Sequence, residues 1–404
     1  MDDDVHGCTS VAVAWTQGSD AGGDVVIPAT ELKDVCDISM GQAPVGTSYN
    51  ENSEGYALLA GAGDFGELVP EPKKFTTKPT RLSKVNDLIL CIRATIGDLN
   101  WSDKEYCLGR GVAGLRPIQS KLDKNYLWHF INVNKGELAS KGTGSTFKQV
   151  NRSHIEGWKI PLPPLAEQKR IAAILDKADA IRRKRQQAIQ LADDFLRAVF
   201  LDMFGDPVTN PKGWEVEPLS KVATVTTGNT PSRKIPEYYG DHIEWIKSDN
   251  INTPSHILTK ASEYLSSEGM KVGRVVPSGS TLVTCIAGSP DCVGNAAFTN
   301  REVAFNQQIN ALTPKEGINK WFLYALILSS KKIIQGASTN SMKGMVSKGN
   351  MEKLIFFLPP KPLQDKFSEI FEKYMVNGGK LRVLQSESDK CFASLSQKAF
   401  AGEL

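Results

Sequence analysis

Two stretches of the chain carry the apolar repeat of a long helix. From Ile171, alternating steps of three and four residues fall on Ile171, Ile174, Ala178, Ile181, Arg185, Ala188, Ala192, Phe195, Val199 and Asp202. Nearly all are apolar or alanine, which is a coiled-coil seam. The same steps further on fall on Phe367, Ile370, Tyr374, Asn377, Leu381, Leu384, Ser388, Cys391, Leu395 and Lys398, a poorer seam. Pro163-Pro164 and Pro359-Pro360 mark the starts, because proline suits a first helical turn and is not tolerated deeper. Residues 166–203 as one helix would run roughly 57 Å at 1.5 Å per residue. A seam that long needs a second long helix as partner. The packing positions expected are Ile171, Ile174, Ile181, Phe195 and Val199 against Phe367, Ile370, Leu381, Leu384 and Leu395. Asn377-Gly378-Gly379 interrupts the second seam. Glycine weakens a helix by about 1 kcal/mol relative to alanine, so a kink or break is expected there.

The helical stretches belong to an internal duplication. Leu32, Val35, Gly41 and Pro44 recur as Leu219, Val222, Gly228 and Pro231, an offset of 187. Thr143 and Ser145 recur as Thr339 and Ser341, an offset of 196 that then holds without a gap through Gln168/Gln364, Ile174/Ile370, Asp193/Asp389 and Phe204/Phe400. Each copy is a divergent body followed by a better matched tail, and a period near 190 is a domain plus a connector, far too long for a solenoid unit. The bodies read as mixed α and β. Runs such as Asp87–Ile92 and Ser280–Ile286 look like strands between turn residues, and helical patterns lie near Tyr126–Val133 and Lys320–Ile334. The fold class expected is α+β: two mixed α/β domains, a pseudo-repeat, joined by two long antiparallel coiled-coil helices. The boundaries read as a lead-in over 1–30, bodies over 31–160 and 214–357, helical regions over 161–206 and 358–404, and a linker over 207–213.

Composition narrows the function classes. The 404 residues are 41% hydrophobic and 23% charged, which is ordinary for a globular chain. The longest apolar stretch, Trp321–Leu328, is far short of the roughly 20 residues of a membrane span. The seven cysteines are odd in number and form no C-x-x-C, and the acidic N-terminus lacks the charge of a secretory signal. A cytoplasmic, reduced protein with no membrane role is expected. No phosphate-cradling G-x-x-x-x-G-K-[ST], dinucleotide G-x-G-x-x-G or G-x-S-x-G elbow occurs. The five histidines show no metal-ligand spacing. Glu31-Leu32-Lys33 has the E-x-K form of many metal nucleases, but so short a match arises by chance. No catalytic residue, metal or cofactor is assigned to the chain.

The bodies carry instead loops rich in amides, hydroxyls and cations. Arg, Lys, Asn and Gln match base edges, and Lys, Ser and Thr suit phosphates. The candidates for DNA contact are Gln42, Asn50, Arg93, Thr143, Ser145 and Lys148 in the first body, with Arg233, Lys234, Lys247, Asn250, Asn340 and Lys343 in the second. Such loops are also ordinary solvated turns. The basic run from Lys177 to Arg185 reads best as a solvated face beside the seam.

Leu162-Pro-Pro-Leu-Ala-Glu-Gln-Lys-Arg-Ile-Ala-Ala-Ile-Leu-Asp-Lys-Ala-Asp179, continuing to Phe204-Gly205-Asp206, resembles the central conserved region of type I restriction-modification specificity subunits. Leu219–Pro231 with Ile243–Asp249, and Leu32–Gly41, resemble the opening of that family's target recognition domains. The resemblance covers about 31–404. It implies a non-catalytic subunit in which each domain reads one half of a bipartite, asymmetric site on double-stranded DNA. The helices would set the spacer and dock two modification subunits. S-adenosylmethionine chemistry would then sit on those subunits, and ATP- and Mg-dependent translocation and cleavage on restriction subunits. The competing classes are a stand-alone nuclease or methyltransferase with a divergent site, and a helical scaffold with no DNA role.

Overall fold

A computed structural model describes residues 27–144, 148–252, 256–338 and 344–404. The chain folds as two compact units, one formed by the residues up to Gln186 together with Leu384–Leu404, the other by Gln187–Val383. Ser145, Asn340 and Lys343 lie outside the described residues. No helix among the described residues is long and apolar enough to cross a membrane.

In the first unit a four-stranded antiparallel sheet has the order Cys36–Met40, Val112–Pro117, Leu88–Cys91, Leu99–Trp101. All four residues of the inner strand Leu88–Cys91 are buried, so this strand reads as a continuous apolar run. A second sheet orders Tyr49–Asn50, Lys74–Thr76, Tyr56–Leu59, Cys107–Leu108, with its last pairing parallel. The helix Lys124–Ser140 starts where the Asp123 carboxylate accepts bonds from the Asn125 and Tyr126 N–H groups. This cap satisfies two of the orphan donors of the first turn. The helix buries Tyr126, Leu127, Phe130 and Ile131.

The second unit repeats the plan. One sheet orders Ala223–Thr227, Ile309–Pro314, Thr281–Thr284, Ala296–Phe298. The other contains Ile243–Ile246 paired parallel with Val303–Phe305. The helix Lys320–Ser329 is capped by Asn319 as its counterpart is by Asp123. Each unit also closes its ends with a two-stranded ribbon: Ala29–Glu31 with Lys159–Pro161, and Val216–Pro218 with Ile355–Phe357. The first ribbon recruits residues 29 and 30 of the expected lead-in.

The long helices span Leu165–Phe204 and Lys361–Ala401. In the first unit Ile171 and Leu175, near the start of the first helix, share a core with Phe400, near the end of the second. The Phe400 ring lies 5.3 Å from Tyr126 and 5.6 Å from Phe130. In the second unit Phe200 and Phe204, at the end of the first helix, lie 5.5 and 5.4 Å from Phe367, at the start of the second. Within each unit the segments of the two helices therefore run antiparallel. The repeated glutamine explains how each helix is seated on its body. Buried Gln168 accepts from the Asp123 N–H and donates to the Lys121 and Pro163 carbonyls. Buried Gln364 accepts from the Asn319 N–H and donates to the Pro359 carbonyl.

Two expectations for the helices need correction. Ile181, Phe195 and Leu384 are 45%, 60% and 41% exposed instead of packed. Towards its end the first helix buries Leu196, Phe200 and Phe204, with Val199 partly buried beside them. A straight helix drifts about 20° per heptad from a strict seven-residue repeat. From 171 to 199 is four heptads, so the drift is about 80°, close to the 100° between neighbouring residues. The core face thus moves one position along. Near the middle the helices meet through polar positions of the seam: Arg185 donates to the Leu384 carbonyl at 2.7 Å and to the Ser388 hydroxyl. Ile181 borders an open groove with Ala178, Cys391 and Phe392. Ile174, Ile370 and Leu381 are half-buried, whereas Ile171 and Phe367 are fully buried and Leu395 packs against the core edge.

The second correction is that the helix runs without a break through Asn377-Gly378-Gly379. Gly378 is buried, and a Cβ there would lie 3.1 Å from Arg382 Nη1 and 3.6 Å from Tyr374 Cζ. Both side chains bond Asp193 of the first helix. These anchors on either side of the glycines outweigh a propensity cost of about 1 kcal/mol.

Candidate nucleic-acid interface

The repeated glycines Gly41 and Gly228 mark the point where each unit passes from one sheet towards the other. The Gly41 N–H donates to the Val112 carbonyl and the Gln42 N–H to that of Leu108; the Gly228 N–H donates to Ile309 and the Asn229 N–H to Phe305. A Cβ at Gly41 would lie 2.1 Å from the Gly109 carbonyl oxygen, and one at Gly228 would lie 2.1 Å from that of Asn306. No other residue fits either site without moving backbone.

From this anchor the two units can be matched bond by bond. Gly109 N–H donates to Leu59, as Asn306 does to Ile246; Ile92 donates to Gly111, as Cys285 does to Gln308; Val150 donates to Ile92, as Val346 does to Cys285. The bridge between Arg93 and Gln149 matches the one between Ile286 and Met345. Equivalent backbone therefore carries unlike side chains: Gln42 against Asn229, Ala60 against Lys247, Arg93 against Ile286, Arg110 against Gln307, and Gln149 against Met345.

In the first unit this end of the sheet gathers several candidate residues. Gln42, Arg93, Thr143 and Lys148 are exposed. Gln149 bridges both Arg93 and Thr143, which places Lys148 beside them. Ala94, next to Arg93, sits at φ 55°, a conformation uncommon outside glycine that turns the chain sharply at the arginine. Among the described residues neither Arg93 nor Lys148 has an acidic partner. Asn50 stands apart: its side chain accepts from the Asn52 and Glu54 N–H groups and donates to the Glu54 carbonyl. It closes its own turn.

In the second unit Arg233 and Lys247 converge on Glu263, Arg233 at 2.6 Å. The Arg233 guanidinium lies 4.4 Å from the Tyr239 ring centre and 5.2 Å from that of Trp245; the Lys247 ammonium lies 5.4 Å from Trp245. Burial would raise the Glu263 carboxyl, but the bonds and charges of Lys247 and Arg233 outweigh it and hold the group below its ordinary range. Aromatic faces beside a guanidinium help to hold it in place, and the in-plane donors that Glu263 does not take are left for a ligand. Lys234 is exposed nearby. Asn250 is buried; its side chain accepts from the Lys247 N–H and donates to the Thr259 hydroxyl and the Lys260 carbonyl. It holds the loop under Lys247.

Arg110, Gln149, Asn229 and Gln307 were not singled out from sequence. The bodies are too divergent there to align by eye, although Gly109-Arg110-Gly111 is a visible signal of pinned backbone around an exposed arginine. Among the described residues no group of His, Cys, Asp and Glu could hold a metal ion. What the arrangement offers is donors and acceptors of the kinds that pair with base edges and phosphates.

A family model, the type I restriction modification DNA specificity domain, matches residues 29–191 and again 211–378. A putative type I restriction enzyme MjaX specificity subunit of Methanocaldococcus jannaschii is 37% identical over 158 residues, 38% of this chain and 37% of that protein. The HindI specificity subunit of Haemophilus influenzae is 32% identical over 182 residues, 41% of this chain and 37% of that protein. The matched stretches thus span little more than a third of either relative. In fold, the crystal structure of the S subunit of a type I restriction-modification system from M. genitalium is similar at a TM-score of 0.60 and 14% identity, over 94% of this chain and 98% of that one.

Proposed function

The chain belongs to the type I restriction-modification DNA specificity family, carrying its specificity domain twice, and on that premise we propose that each domain reads one half of a bipartite, asymmetric DNA target. One observation carries this reading: the two units share their backbone bond for bond at the end of the sheet and differ there in side chains. A common frame with unlike readers suits two different half-sites. Each domain alone would bind weakly; joined, the second contact becomes intramolecular and gains from effective concentration.

The helices, of 40 and 41 residues, are each about 60 Å long at 1.5 Å per residue. A B-DNA turn is about 34–36 Å, so a connector of fixed length selects a spacer that keeps both half-sites on the correct face. Leu191, Phe195, Val376 and Val383 are exposed on these helices, the kind of apolar surface that a partner protein covers. Two modification subunits dock on the helical regions in this reading, and the chemistry of methyl transfer and cleavage belongs to them and to the restriction subunits. The chain itself positions the complex on DNA.

Methylome sequencing of a host carrying this gene with its modification partner tests the reading. The expected motif has two unlike halves separated by unspecified bases. Insertion of whole helical turns into both long helices should lengthen the spacer and leave the halves unchanged. A continuous motif, no new methylation, or altered halves after the insertion would overturn it.

A further inference from the structure

We infer that Arg110 reads guanine in the half-site of the first unit and that Gln307, at the same backbone position of the second, reads adenine; this rests on the proposed DNA-reading function. Arg110 is exposed between two buried glycines. A Cβ at Gly109 would lie 2.7 Å from the Leu59 carbonyl oxygen, and one at Gly111 would lie 2.0 Å from that of Ala60. The backbone is therefore clamped on both sides of the arginine, and only its side chain is free to project. Among the described residues it has no ion pair and no side-chain hydrogen bond.

Gln307 is held in the same way by other means. Asn306 is buried and its carboxamide accepts from the Gln308 N–H at 3.0 Å while donating to the Gln308 side chain at 3.1 Å. Gln307 itself is exposed, and its side-chain carbonyl accepts from the Thr230 hydroxyl. Its NH₂ donors and one remaining lone pair are left for a ligand.

The exchange of arginine for glutamine separates base reading from phosphate binding. Phosphates are the same in every sequence, so a position that grips the backbone would keep its cation in both copies. A position that reads a base must change when the base changes. Arginine pairs bidentately with guanine O6 and N7, and glutamine with adenine N6 and N7.

The test uses the full chain assembled with its modification subunits and selection from a DNA library randomised in both half-sites. Arg110→Gln should shift one base pair of one half-site from G·C to A·T and weaken binding to the parent site roughly 5- to 150-fold. Gln307→Arg should make the reverse shift in the other half. Arg110→Lys keeps the charge but not the paired donors, so it should retain general DNA binding and lose discrimination at that base pair. An unchanged preference in the Arg110 and Gln307 variants would overturn the inference. So would an equal loss across all sequences with a shallower salt dependence, the mark of a phosphate contact. If the unaltered protein enriches no sequence, the DNA-reading function itself falls and takes this inference with it.

Discussion

Acidification should loosen the second unit through one histidine. His256 lies against Tyr324 of the helix Lys320–Ser329 and Tyr374 of the second long helix, with both ring nitrogens 3.0 Å from a tyrosine hydroxyl. Tyr374 donates its own proton to Asp193, so its oxygen accepts from His256 Nε2–H, and Nδ1 accepts from Tyr324. Protonation would place a second N–H where Tyr324 now donates. Burial pushes His256 down to about 4 from its ordinary 6.5; nearby Asp193 pulls it up, and Arg382 adds to the depression. The unfolded chain binds the proton more readily than the folded one, so the stability contributed by neutral His256 is complete above pH 6.5. It is lost as the pH falls from there through 4. At 1.36 kcal/mol per unit, the whole loss is about 3 kcal/mol, of which about 2 is felt by pH 5. Urea unfolding at pH 7 and pH 5, read by hydrogen exchange in peptides from Gln187–Val383, measures it. His256→Gln keeps a neutral donor and acceptor and should flatten the dependence. An unfolding free energy that does not change between the two pH values, or that changes equally in His256→Gln, would refute the argument.

Gln168→Ala leaves the buried Pro163 carbonyl unpaired, at about 1–3 kcal/mol, and the Asp123 N–H and Lys121 carbonyl, which water reaches in part, add about 1 more; we expect a loss of about 2–4 kcal/mol in urea unfolding, and less than 1 would show that the clamp is dispensable. Gly228→Ala drives a Cβ to 2.1 Å from a backbone oxygen. Selection on randomised DNA should then lose one half of the motif and keep the other. Phe195→Asp changes an exposed residue, so stability should stay within about 0.5 kcal/mol while recovery of modification subunits in co-purification falls.

Where sequence and structure part company, the cause is a competition between local and long-range terms. The duplication survives in Gly41/Gly228 and Gln168/Gln364 because each of these residues meets a demand no other side chain satisfies: a missing Cβ beside a carbonyl, or an amide that both accepts and donates within one buried corner. Such positions are legible without coordinates. The helical seam was legible in kind and drifted in register, since a strict repeat of seven is an assumption about supercoiling and Phe200 and Phe204 obey the helix's own 3.6-residue turn. Gly378 misled because propensity counts the cost of a glycine and not what its absent side chain admits, here Tyr374 and Arg382 reaching Asp193. At the candidate interface, Asn50 and Asn250 show why an amide's use is not legible in sequence: a turn and a base edge ask it for the same bonds. Only burial and partners separate the two uses. The same logic makes Arg110 the stronger candidate: its neighbours, not its own side chain, meet the demands of the fold, and its five donors are left for a ligand.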